Sequence, residues 1–129
     1  MKNLLYALIT LLFLKTAVYT VTPPPTPKTV ISGHGWAYTV PFVVQNTSTI
    51  EKLIQCESQG VNIARPDSNG LLSYGLLQFN GTSTWSDFTA KSGLSGSPMM
   101  PDDAIRLADW AISHGYLHRW TCARILHLE

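Results

Sequence analysis

Apolar residues at Ile50, Leu53 and Ile54 fall at i, i+3 and i+4, the stripe of an amphipathic helix facing a core. Just ahead of them, Ser48-Thr49-Ile50-Glu51 fits a capping box, in which a serine hydroxyl and a glutamate satisfy the orphan amides of the first turn. Gly60 supplies the stop. A second stripe, Ala104, Ile105, Leu107, Ala108, Ala111 and Ile112, predicts a helix over Asp102–His114, with Pro101 at its start and Gly115 after its end. A shorter helix is expected around Thr82–Ser92. Between the first helix and position 82, Pro66-Asp67-Ser68-Asn69-Gly70 reads as a turn and Leu71–Phe79 as a short apolar segment. Two or three small strands there give an α+β fold that is mainly helical.

The pattern changes toward the N-terminus. Thr22-Pro23-Pro24-Pro25-Thr26-Pro27 excludes helix and central strand and reads as an extended polyproline spacer. Residues 28–46 are rich in β-formers (Val30, Ile31, Trp36, Tyr38, Val40, Phe42) but lack clean alternation. They read equally as a strand packed on the domain or as a loosely ordered connector. Residues 1–14 carry an early lysine and an apolar run of a dozen residues, the layout of a secretory signal or, if uncleaved, an anchor. The expected organisation is 1–20 signal peptide, 21–45 Pro-rich linker and connector, and 46–129 folded domain. The protein is then secreted or attached to the cell envelope, touching a membrane only through that first segment.

Composition narrows the function classes. Of 129 residues, 9 are basic and 8 acidic, for a net charge of +1 and no field to hold nucleic acid. Removing residues 1–20 takes Lys2 and Lys15 away, leaving seven basic residues against eight acidic. Hydrophobic residues make up 45% and charged ones 13%, which excludes a disordered chain. Two cysteines, Cys56 and Cys122, are too few for a thiolate zinc site, and neither a metal nor a cofactor is expected. Export favours pairing of the two, because that compartment is oxidising.

One step beyond Ile54 on the first stripe lies Glu57. A carboxyl carried toward a core or a cleft wall is desolvated, and desolvation favours its protonated form, as a general acid needs. From the stripe alone, a helix-end glutamate turned to solvent is the commoner outcome.

The wider pattern is more specific. Cys56-Glu57-Ser58-Gln59-Gly60, Tyr74-Gly75-Leu76-Leu77-Gln78-Phe79-Asn80, Ser83-Thr84-Trp85 and Trp120-Thr121-Cys122 occur in that order. Together they resemble the lysozyme-like catalytic domain of lytic transglycosylases, close to resuscitation-promoting factors and the soluble lytic transglycosylases. The resemblance spans roughly residues 50–122. It implies a small lysozyme-like domain with Glu57 as catalytic acid, Tyr74, Gln78, Asn80 and Trp85 along a glycan groove, and a Cys56–Cys122 disulfide. It implies a monomer that acts on peptidoglycan glycan strands and splits the MurNAc–GlcNAc β-1,4 bond.

Reaction type turns on a second carboxylate, since ordinary glycosidases use two. Glu51, Asp102 and Asp103 belong to helix starts, and Glu129 is the last residue. Asp87 and Asp109 are expected on solvated helix faces. Only Asp67, in the turn, is a candidate partner. One carboxylate alone favours attack by the sugar's own 6-hydroxyl and a 1,6-anhydro product. The alternatives are a hydrolytic muramidase and a non-catalytic glycan-binding domain displaying Trp85, Trp110 and Trp120. Two rival chemistries are Cys56 as a nucleophile with His114 or His118, and those histidines as a metal pair.

Overall fold

The computed structural model describes residues 20–128; the proposed signal segment lies almost wholly outside them. Residues 20–28 adopt no regular element, and the Pro-rich run within them is exposed. No helix among the described residues is long and apolar enough to cross a membrane. Two small antiparallel sheets and four α-helices follow, giving the α+β class.

The first sheet is a hairpin of β1 (Thr29–Gly33) and β2 (Trp36–Val40). Thr29 lies opposite Val40 and Gly33 opposite Trp36, so Thr29, Ile31, Tyr38 and Val40 share one face. Ile31 and Val40 are fully buried in the common core. The open choice for residues 28–46 is thus settled as packed strand, and the packed body begins near Thr29, ahead of the expected boundary at 46.

Helix α1 (Thr47–Glu57) buries Ile50, Leu53 and Ile54 as its stripe dictates. Its start is not a capping box, because Ser48 lies inside the helix and Glu51 is used otherwise. Asn46 takes the N-cap position, and its Nδ2 donates to Asp109 Oδ1 at 2.8 Å. Glu51 Oε1 accepts from Ser32 N at 3.0 Å, and Gln55 Oε1 accepts from His34 N at 3.2 Å. Two side chains one helical turn apart thereby satisfy one amide of β1 and one of the turn that follows it. Asp109 also accepts from the amides of Gln45 and Asn46, so it is a tether and not a solvated charge.

The second sheet has the order β3 (Arg65–Pro66), β4 (Leu72–Tyr74), β5 (Phe79–Asn80). After it come a π-helical turn (Gly81–Trp85), α2 (Ser86–Ser92), α3 (Pro101–Ser113), a 3-10 turn (Leu117–Arg119) and α4 (Thr121–Ile125). Ala104, Ile105, Leu107, Ala108 and Ala111 form the buried face of α3. Phe79 is the hub of the aromatic core, with ring centroids 5.1 Å from Trp85, 5.4 Å from Trp120 and 6.3 Å from Phe88. These edge-on contacts put the positive rim of one ring against the negative face of the next.

Candidate active site

Glu57 is the last residue of α1, and three separate ties fix the end of that helix. Tyr38 Oη donates to Gly60 O at 3.0 Å, and Trp36 Nε1 donates to Gln55 Oε1 at 2.8 Å. The Trp36 ring lies so close over Gly60 (φ +77°) that a Cβ there would overlap it, so this residue must be glycine on two counts. The third tie is covalent. Cys56 is disulfide-bonded to Cys122 across 66 residues, which joins α1 to α4 and leaves no free cysteine to act as a nucleophile. Closing a loop of that length contributes about 4 kcal/mol on the chain-entropy estimate.

Glu57 emerges half-buried on the wall of a groove of about 360 Å³. Its Oε1 accepts a hydrogen bond from Cys122 N at 3.3 Å. Burial pushes its carboxyl above the usual glutamic-acid range, against the lowering effect of the Cys122 amide, and the nearby Asp67 charge pushes it further up. The carboxyl therefore keeps its proton at a pH where an exposed glutamate has lost it.

Asp67 lines the same groove, in the turn that joins β3 to β4. Its Oδ1 accepts from Ser68 N at 2.6 Å and from Ser68 Oγ at 3.3 Å, and its Oδ2 accepts from Ser73 Oγ at 3.3 Å. Gly70 N donates to Asp67 O, closing the turn. Asp67 thus shares the groove with Glu57, near enough for its charge to act on it, while holding its own loop together.

Gln78 and Asn80 line the same groove. Gln78 sits at φ +48° in the turn from β4 to β5, and its Nε2 donates to Ile63 O and Gly75 O, both at 2.8 Å. Among the described residues no protein group donates to its Oε1. Asn80 Oδ1 caps the π-helical turn, accepting from Thr82 N at 3.3 Å and Ser83 Oγ at 3.0 Å.

Tyr74 and Trp85 do not join them. Alternation along β4 turns Ser73 to the groove and Leu72 and Tyr74 to the opposite face of the sheet. There, Tyr74, Trp85 and Met99 line a separate, mostly apolar depression of about 650 Å³. These two aromatics, expected along a glycan groove, thus line this depression and not the groove beside Glu57.

The three tryptophans considered for a glycan-binding surface are at least half-buried. Trp85 and Trp120 are buried, and Trp120 Nε1 donates to Leu77 O at 3.1 Å. Trp110 stacks on His114 and on Tyr116, at centroid distances of 4.6 and 5.7 Å. Among the described residues no group of three or more histidine, cysteine or acidic side chains is arranged to hold a metal.

Three groove residues carried no signal in the sequence reading: Arg65, Ser73 and Arg119. Arg119 is held in place by Asp87 at 2.9 Å, and Lys91 binds the same carboxylate at 2.6 Å. The hydrogen bond from Lys91, and then that from Arg119, hold the Asp87 carboxyl below the usual aspartate range. Asp87 therefore braces the groove wall instead of facing water alone. Period-2 alternation could have flagged Ser73 within Leu72-Ser73-Tyr74, whereas nothing local distinguishes Arg119.

No protein-family model, curated protein or solved structure matches this chain.

Proposed function

We propose that the protein is an exported, lysozyme-like lytic transglycosylase that cleaves the MurNAc–GlcNAc β-1,4 bonds of peptidoglycan glycan strands. The observation that carries the reading is the placement of Glu57, a half-buried carboxyl on an open groove whose burial raises it above the usual glutamic-acid range. Glu57 donates that proton to the glycosidic oxygen as the bond to C1 breaks. The N-acetyl group of the sugar stabilises the oxocarbenium centre. The 6-hydroxyl then attacks C1 and returns its proton to the Glu57 carboxylate, so no water is consumed. The disulfide supports an oxidising compartment, consistent with the apolar N-terminal run acting as an export signal.

Asp67 decides between this route and hydrolysis. Both of its oxygens already accept hydrogen bonds within the turn, which favours a structural role. Its place in the same groove as Glu57 favours a second reading, a hydrolytic muramidase in which Asp67 activates water. Mass spectrometry of sacculi digested with the purified protein separates the outcomes. The proposed reaction yields 1,6-anhydro-muropeptides. Reducing-end products would establish the muramidase, and intact sacculi that retain bound protein would leave a binding module.

A further inference from the structure

Cys56 directly precedes Glu57, and its bonded partner Cys122 is the residue whose backbone amide donates to Glu57 Oε1. One cross-link therefore fixes both the helix end that carries the acid and the hydrogen bond that orients it. The two half-cystines differ in access. Cys122 is 6% exposed, whereas Cys56 is exposed and borders a surface depression with His34, Lys52 and Leu126. A thiolate in solution can reach Cys56 without opening the core.

We propose that the Cys56–Cys122 disulfide is a thiol-addressable positioning element for Glu57, so that its reduction releases the acid from the Cys122 amide and turns cleavage down reversibly. The cleavage arm of this inference rests on the function proposed above. The co-reactant is a dithiol. One of its thiolates attacks Cys56 Sγ and forms a mixed disulfide, and Cys122 leaves as a thiolate and takes up a proton. The second thiol of the reductant then attacks the mixed disulfide. Cys56 is released as a thiol, and the reductant becomes a cyclic disulfide. Two electrons pass to the protein, and both cysteines end as thiols.

The released amide leaves a signature that loss of a plain staple does not. The Cys122 hydrogen bond opposes the raising effect of burial on Glu57, so its loss moves the Glu57 titration to higher pH. The ionisable groups that share the groove are Asp67, Arg65 and Arg119, none of them attached to the disulfide.

The experiment compares full-length oxidised protein with the same protein in dithiothreitol, and with the Cys56→Ser/Cys122→Ser double variant. Carboxyl-carbon NMR follows the titration of Glu57, assigned with Glu57→Gln, while far-UV circular dichroism monitors the fold. The reduced protein is expected to stay folded with its Glu57 titration shifted upward. Its cleavage of sacculi should fall about 10–100-fold, the scale of a misplaced catalytic group, and return on re-oxidation. The double variant should copy the reduced form and ignore dithiothreitol. An unshifted Glu57 titration in folded, reduced protein would overturn the proposal, as would outright unfolding on reduction. An oxidised protein that cleaves nothing would sink the proposed function instead, and the titration would still decide the role of the disulfide.

Discussion

Two carboxylates face one groove, and the walls that carry them are built in opposite ways. Glu57 ends an 11-residue helix whose stripe is buried, whose last turn is tied down by Tyr38 and Trp36, and whose neighbour is cross-linked. Asp67 starts a turn in a stretch, residues 63–72, in which every residue is exposed. The packed wall withdraws water from Glu57 and offers it a single amide donor, which favours the protonated form. The exposed wall gives Asp67 donors from Ser68 and Ser73 and leaves it in contact with water. The environment of Glu57 suits a group that gives a proton, whereas the hydrogen bonds of Asp67 hold its turn. The difference is set by what each segment packs against, not by the residue type.

Removing the proton on the packed wall breaks the comparison most sharply. Glu57→Gln keeps the shape and the Cys122 hydrogen bond, so cleavage of sacculi should fall by roughly 10²–10⁴ with the fold intact. Undermining that wall from behind comes next. Ile31 is fully buried on the inner face of β1, and Ile31→Ala should destabilise the domain by about 2–5 kcal/mol in urea titrations. Val30, on the outer face and 57% exposed, should tolerate Val30→Ala within about 0.5 kcal/mol. Equal costs at the two positions would mean that the hairpin does not support α1.

On the exposed wall the expected effects are smaller. Asp67→Asn should change cleavage by only a few-fold if Asp67 is a turn residue, and by about as much as Glu57→Gln if it activates water. The smallest effect is on stability. Folded Glu57 holds its proton above the pH at which the unfolded chain loses it. Its contribution is therefore fully present below the unfolded value and is lost as pH rises through the folded value. Glu57→Gln removes that loss, so thermal unfolding should show the variant gaining on the parent protein between pH 4 and pH 8.

The packed wall was the more legible in sequence. Ile50, Leu53, Ile54 and the step to Glu57 repeat at helical spacing, and the structure keeps that spacing intact. The hairpin behind it was hidden by a change of phase. Inward residues are odd-numbered in β1 and even-numbered in β2, because the turn at His34-Gly35 reverses the count, and a continuous reading blurs the alternation. Ser48-Thr49-Ile50-Glu51 looked like a capping box because local pattern does not reveal that β1 claims Glu51. Tyr74 and Trp85 illustrate a different limit. The motifs placed them near Gln78 in the chain, but Tyr74 stands on the other face of β4 from Ser73 and Trp85 ends the π-helical turn, and both line the separate depression. Arg119 reaches the groove through Asp87, 32 residues away in sequence, a pairing that no local pattern encodes.

The most direct test of Glu57 as proton donor is the pH dependence of cleavage on the alkaline side. Rates for the parent protein should fall through a limb above about 4.3, the ordinary value for glutamic acid. That limb should move to lower pH in Asp67→Asn, because the charge that raises it is gone. A limb at the ordinary glutamate value, or one that stays in place when Asp67 is neutralised, would contradict the account.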